Sequence, residues 1–213
     1  MKWGRLLELL YPPRARCVGC DDETGHEVPW FCEACMARLE EAREGAFAVN
    51  GFDGAFSAFA YAGPAGGAVR WLKYNGLRAL AEPMAAEMAR CASCEWTLPR
   101  DALVVPVPMH MRRLKRRGYN QSALLAKHLA KALGLECREA ISRVRDTPQQ
   151  AKLERDERRK NVKGAFQANS EVSGKTVLLV DDVFTTGATA KECARALKRA
   201  GAAKIYFASY AKG

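Results

Sequence analysis

The stretch that decides the fold is VLLVDDVFTTGAT, residues 177–189. Its unbroken apolar start is the signature of a strand buried on both faces, as in a parallel sheet covered by helices. The run stops at two adjacent carboxylates, Asp181 and Asp182. A short turn over residues 183–187 then feeds ATAKECARALKRAGA, whose apolar spacing predicts a helix stopping at Gly201. Strand, turn and helix in that order put the turn at the carboxyl end of the strand, where open α/β sheets bind ligands. A helix start offers unused backbone N–H groups and the positive end of the helix dipole, which together receive a phosphate monoester. Thr185, Thr186 and Thr189 add hydroxyls, Gly187 lets the backbone approach an anion without a Cβ, and Ala188 opens the helix. Asp181 and Asp182 stand where they can accept hydrogen bonds from sugar hydroxyls. A GxxxxGK[ST] loop is absent, which excludes that class of nucleotide site.

Outward from this stretch the strand–helix alternation continues. ALVVPVP (102–108) reads as a buried strand ended by Pro106 and Pro108. NQSALLAKHLAKALG (120–134) reads as a helix with an apolar stripe of Leu124, Leu125, Leu129 and Leu133, capped by Gly134. CREAISRV and GAF predict short strands, and KIYFASYA a last one. On the amino-terminal side, GAFSAFAYAG predicts a strand with Phe56, Ala58 and Ala60 on one face. A glycine turn, the helix AVRWLKY and a second helix, LRALAEPMAAEMARC with Pro83 near its start, follow. The expectation is an α/β fold over residues 45–213, a mostly parallel sheet flanked by helices, preceded by a small module over residues 1–44.

VPVPMH (105–110), followed by Arg112 and Arg113, also ends a strand and therefore reaches the same sheet edge. Arginine forks suit phosphate oxygens. Whether the Val107–Pro108 bond is cis is not legible in the sequence. His110 lies beside this loop and is a weaker ligand candidate; His128 falls on a helix face.

The net charge is +10, concentrated in MRRLKRR (111–117) and RDERRKNVK (155–163). Such segments serve either as solvated faces or as a surface for polyphosphate or nucleic acid. Apolar runs are too short to span a bilayer, and MKWGRLLELLYPPRARC lacks the apolar core and cleavage site of a secretion signal, so a cytoplasmic protein is expected.

Without a secretion signal, the eight cysteines are expected to be reduced. Cys17 and Cys20 form one CxxC pair and Cys32 and Cys35 another, with eleven residues between. Two such pairs make a tetrahedral thiolate site for structural zinc, and so short a module needs metal for its folding energy. Disulfides, or thiols packed apolarly in a lost site, are the alternatives. His26 lies between the pairs but is not needed as a ligand. Cys91 and Cys94 have no second pair, and Cys137 and Cys193 read as small apolar residues.

Residues 177–189 resemble the fingerprint of the type I phosphoribosyltransferases: four apolar residues, two acids, two variable residues, then TTGxT. The resemblance implies 5-phosphoribosyl diphosphate (PRPP) with magnesium as ligand. Asp181 and Asp182 would contact the ribose 2′- and 3′-hydroxyls, and the loop from Thr185 through Thr186, Gly187 and Ala188 to Thr189 would wrap the 5-phosphate. Val107, Pro108, Met109, Arg112 and Arg113 would hold diphosphate and magnesium. The wider pattern is similar to the ComF family: VPVP, RR, RGYNQ, then Arg145, Thr147, Gln150, Arg158, Asn161 and GAF, and upstream LKYNG with Lys73 as its basic member. Residues 145–161 fall where related transferases carry a hood that closes over the site, with Arg145, Thr147, Gln150 and Arg158 on it. The family is associated with DNA uptake in natural competence, which implies single-stranded DNA and an uptake helicase as partners. A metabolic phosphoribosyltransferase, displacing diphosphate at C1 of PRPP with an unidentified acceptor, is the second reading. No residue stands out as a general base.

Overall fold

The strands Gly54–Ala60, Leu103–Pro106 and Thr176–Phe184 are each followed by helix, and such crossovers return the chain so that the next strand of the sheet runs parallel. The computed structural model describes residues 16–22, 30–145 and 162–213. In chain order the elements are α1 (Glu33–Glu41), β1 (Gly54–Ala60), α2 (Gly63–Tyr74), α3 (Ala81–Glu95), β2 (Leu103–Pro106), α4 (Met111–Arg117), α5 (Gln121–Leu133), β3 (Glu136–Cys137), β4 (Ile141–Arg143), β5 (Phe166–Ala168), β6 (Thr176–Phe184), α6 (Ala188–Arg199) and β7 (Lys204–Lys212). The main sheet has the order β1-β7-β6-β2-β3, parallel throughout, so the expected mostly parallel α/β sheet is observed.

Side chains alternate across this sheet and fill two cores. Leu178 and Val180 of β6 pack with Phe56, Tyr210, Leu125 and Leu129 beneath α2, α3 and α5. Val177 and Leu179 pack with Ile205, Phe207 and Leu197 beneath α6. Each such side chain removed from water contributes roughly 1.5–3 kcal/mol, which is why the buried run Val177–Val180 holds no polar residue. The β1 edge is closed by residues 42–47 running antiparallel to it, with Glu44 N donating to Ala58 O (3.0 Å) and Phe47 N to Ala55 O (2.8 Å).

The chain leaves β2 through α4 and α5 to reach β3 on one side, and leaves β6 through α6 to reach β7 on the other. That reversal opens a crevice at the carboxyl ends of β2 and β6. Val107 N donates to Val180 O at 2.9 Å, so the two ends are held together.

Two local expectations are corrected. The glycine turn before AVRWLKY is helical: α2 begins at Gly63, with Pro64 in its first turn and Gly66 and Gly67 inside it. Glycine is required there because a Cβ on Gly67 would lie 2.2 Å from the Val18 carbonyl oxygen. CREAISRV is two strands, β3 in the main sheet and β4 in a separate antiparallel ribbon with β5. The expected hood segment, 145–161, lies in the chain between the two strands of this ribbon. Of the hood residues only Arg145 is described; Thr147, Gln150, Arg158 and Asn161 lie outside the described residues. Among the described residues no helix is long and apolar enough to cross a membrane.

Candidate functional site

A cleft of about 420 Å³ lies at the carboxyl ends of β2 and β6. Its walls bring together Lys73 from α2, Val107, Pro108 and Met109 after β2, Arg113 from α4, Asp181 and Asp182 from β6, and the whole turn from Thr185 to Thr189. These residues come from segments more than 100 positions apart in the chain. Arg112 is not part of this lining. Its backbone N–H donates instead to His110 Nδ1 at 3.3 Å, so His110 caps α4. Every described peptide bond is trans, Val107–Pro108 included.

The acid pair is held from three sides. Ser122 Oγ donates to Asp181 Oδ1 at 2.7 Å, and the N–H of Asp182 donates to the same oxygen at 2.9 Å. Lys73 Nζ sits 2.7 Å from Asp182 Oδ2 as an ion pair. Burial first, and the neighbouring Asp182 second, push Asp181 up to about 7, against the pull of the Ser122 hydroxyl and Lys73. Burial opposes the charge of Lys73, but Asp182 and then Asp181 outweigh it and hold the amine above the ordinary lysine range. The pair thus offers one carboxyl able to exchange a proton near neutrality and a second bound to an ammonium.

The turn that follows is tight. Gly187 takes φ 68°, and a Cβ there would meet the Phe184 ring at 2.6 Å. Thr186 Oγ1 accepts from Ala188 N at 3.4 Å, and Lys191 N closes the first helical turn onto Gly187 O at 2.8 Å. The amino end of α6 therefore opens into the cleft beside Asp181. Four cationic side chains, Lys73, Arg113, Arg117 and Arg143, line the same cleft against two carboxylates. That balance suits a ligand carrying several negative charges.

Sequence reading missed part of this wall: Tyr61, Tyr74, Arg117, Gln121, Ser122 and Arg143 also line the cleft. The RGYNQ element held a readable signal. Its Asn120 accepts from Ser122 N at 3.1 Å as the N-cap of α5, and donates from Nδ2 to Val107 O at 3.0 Å, tying the helix to the loop after β2. Tyr119 sends its hydroxyl to the Leu72 carbonyl, and Arg78 stacks over its ring at 4.5 Å. Arg117 donates to Gln121 Oε1 at 2.6 Å and lies 5.3 Å over the Tyr74 ring.

The four cysteines of the amino-terminal module converge. The sulfurs of Cys17, Cys20, Cys32 and Cys35 all lie within 4.8 Å of one another. Cys20 Sγ and Cys32 Sγ are 3.9 Å apart, and all eight cysteines are free thiols. Four sulfurs about 2.3 Å from a central zinc would stand about 3.8 Å apart, so the donor set and its spacing fit a tetrahedral ion. Gly19 N and Cys32 N both point at Cys17 Sγ, at 3.4 and 3.3 Å. Burial raises Cys17, but these N–H groups outweigh it and bring the thiol down to about 7. Cys35 is pushed strongly up, first by burial and then by its neighbouring thiols. His26 lies outside the described residues. Cys193 is fully buried in the core beneath α6, as its apolar reading required, and Cys94 is exposed.

A family model described as a phosphoribosyl transferase domain matches residues 119–213. Over 109 residues the chain is 44% identical to DNA utilization protein YhgH of Salmonella typhi, covering 51% of this chain and 48% of that protein. Over 106 residues it is 38% identical to competence protein F of Haemophilus influenzae, covering 48% of this chain and 46% of that one. The chain therefore spans about half the length of the curated relatives it matches. Among solved structures it overlaps the glutamine PRPP amidotransferase from B. subtilis complexed with ADP and GMP, with a TM-score of 0.44, 18% identity, and coverage of 67% of this chain and 30% of that one. An overlap that loose carries no inference.

Proposed function

We propose that this chain, a member of the ComF family, binds PRPP with magnesium in the cleft between β2 and β6 and serves the use of incoming DNA. One observation carries the ligand reading: a carboxylate pair, a helix-opening turn and four cationic side chains converge on a single cleft. Asp181 and Asp182 accept the ribose hydroxyls, while Thr185, Thr186, Gly187, Ala188 and Thr189 surround the 5-phosphate. Val107, Pro108, Met109 and Arg113 face the diphosphate, joined by Arg117 and Arg143. Magnesium, a hard cation that keeps several waters, would arrive on the diphosphate oxygens, and the carboxylates in the same cleft suit its coordinated waters. Arg145, Thr147, Gln150 and Arg158 belong to the segment that would close over the ligand.

The role in DNA use is supported by the printed names of the relatives and by the charge of +10. α4 carries five basic residues and none of its residues is buried, so a surface for a single strand stands beside the ligand cleft. A DNA-uptake helicase is the partner that this role implies. A zinc ion held by Cys17, Cys20, Cys32 and Cys35 would support the amino-terminal module without touching the ligand.

Calorimetric titration with PRPP and magnesium tests the site. Tight binding by the native chain and at least a 100-fold loss in Asp181→Ala/Asp182→Ala are expected. Equal binding by both proteins would sink the assignment. The second reading, a metabolic transferase, is favoured by the Asp181 carboxyl poised near neutrality, a proton acceptor that sequence reading lacked. Diphosphate release on adding a base or amine from an acceptor panel, without any affinity for DNA at low salt, would decide for it.

A further inference from the structure

The cation on the acid pair does not come from the region that matches the phosphoribosyl transferase model. That match begins at residue 119, whereas Lys73 is the penultimate residue of α2. What holds α2 in place is therefore what holds the charge balance of the site.

α2 is gripped near its amino end by the thiol knuckle. The backbones of Gly67 and of Val18–Gly19 touch so closely that a Cβ on Gly67 would lie 2.2 Å from Val18 O and 3.0 Å from Gly19 Cα. A Cβ on Gly19 would in turn meet Cys35 Sγ at 2.7 Å and Pro64 at 3.1 Å. The knuckle, its thiols and the first turn of α2 thus interlock with no room for a side chain. Val18 and Leu39 of the module lie in one core cluster with Ala65, Ala68, Val69 and Leu72 of the helix. Gly67 and Lys73 are six residues apart on one helix, about 9 Å, so a rotation or slide at the first is delivered to the second. At the far end the Tyr119 hydroxyl fastens Leu72 O beside Lys73.

We propose that Lys73 is the positioning residue of the Asp181–Asp182 pair, and that the metal-filled thiol knuckle sets its position by clamping α2 through Gly67. The amino-terminal module is then part of the ligand site although none of its residues lines the cleft. Loss of its metal, by chelation or thiol oxidation, loosens the helix and withdraws the ammonium. The two adjacent carboxylates are left to repel each other, and ligand hydroxyls meet a disordered pair. This rests on the ligand reading above only for the last step.

The test reads the acid pair directly. With ¹³C-labelled aspartate, the titration of the Asp181 side chain is followed by NMR in zinc-loaded protein. The charged groups around it are Asp182 on β6, Lys73 on α2, Arg113 and Arg117 on α4 and Arg143 on β4. Lys73→Met removes one cation, so the Asp181 midpoint should rise by about one pH unit, while Lys73→Arg should keep it near the native value. Gly67→Ala retains every thiol and the metal but forces the knuckle off the helix; it should reproduce at least half of that rise. Removing zinc with a chelator should do the same. An unmoved midpoint in Lys73→Met overturns the positioning role. A shift in Lys73→Met with none in Gly67→Ala and none on chelation overturns the clamp. Neither result depends on PRPP, so failure of the ligand reading shows separately, as absent binding in the native protein with the titration shifts intact.

Discussion

Two clusters in this molecule crowd groups that repel one another, and they are relieved differently. The acid pair of β6 carries its own counter-charge, since Lys73 stands 2.7 Å from Asp182. Among the described residues no ammonium or guanidinium is paired with the four thiols, and the interior thiol Cys35 is pushed strongly up by burial and by its neighbours. The difference teaches which site the polypeptide can build alone. Side-chain ammonium, hydroxyl and backbone N–H groups already hold the acid pair in place, whereas the four thiols form a set that could hold a metal, whose binding would displace their protons.

The strongest way to break this comparison is to withdraw the metal. Chelation, or Cys17→Ser/Cys20→Ser, should melt the knuckle and α1 while the main sheet persists. The expected drop in melting midpoint is on the order of 10 °C, from a loss of several kcal/mol in a domain of this size. Limited proteolysis should then cut within residues 16–41 first. An unchanged melt would mean that the thiols pack without metal.

A smaller effect separates the acid pair from ordinary surface carboxylates. Asp181 is raised from 3.8 to about 7, so between those limits the folded chain holds a proton that the unfolded chain has released. Stability contributed by this carboxyl therefore falls as pH rises from about 4 to about 7, and is flat beyond. Urea unfolding at about pH 5 and about pH 7.5 should show that fall in the native protein and a flatter profile in Asp181→Asn. A steeper profile in the variant would contradict the assignment.

The smallest effect lies in the scaffold of the cleft, where many modest bonds share the work. Asn120→Ala deletes the cap of α5 and the tie to Val107 O, at a cost of about 1–2 kcal/mol in denaturant unfolding. Its larger consequence should be a looser loop after β2, seen as faster hydrogen exchange at Val107, whose N–H pairs with Val180.

The strand–turn–helix of residues 177–189 and the convergence of the two CxxC pairs were readable because their patterns are local. A strand, a turn and a helix start are neighbours in the chain, and metal ligands recur at a spacing set by one turn. The glycines of α2 were misread for the opposite reason. Gly66 and Gly67 look like a turn by composition, and the need for glycine at Gly67 shows only where Val18 and Gly19, almost fifty residues earlier, approach the helix backbone. Ser122 gave no signal of its own, since a serine near a helix start reads as a cap until β6 is laid beside it.

A parallel α/β sheet, a helix-opening turn after β6 and a four-thiol cluster were legible in the sequence, because hydrophobic period, turn chemistry and cysteine spacing are short-range. Only the tertiary structure decided that Lys73 faces Asp182, that Arg113 rather than Arg112 enters the cleft, and that the thiol knuckle grips the helix bearing that lysine. Those depend on how far a helix slides across a sheet before its small residues meet another backbone, a packing distance that no local pattern encodes.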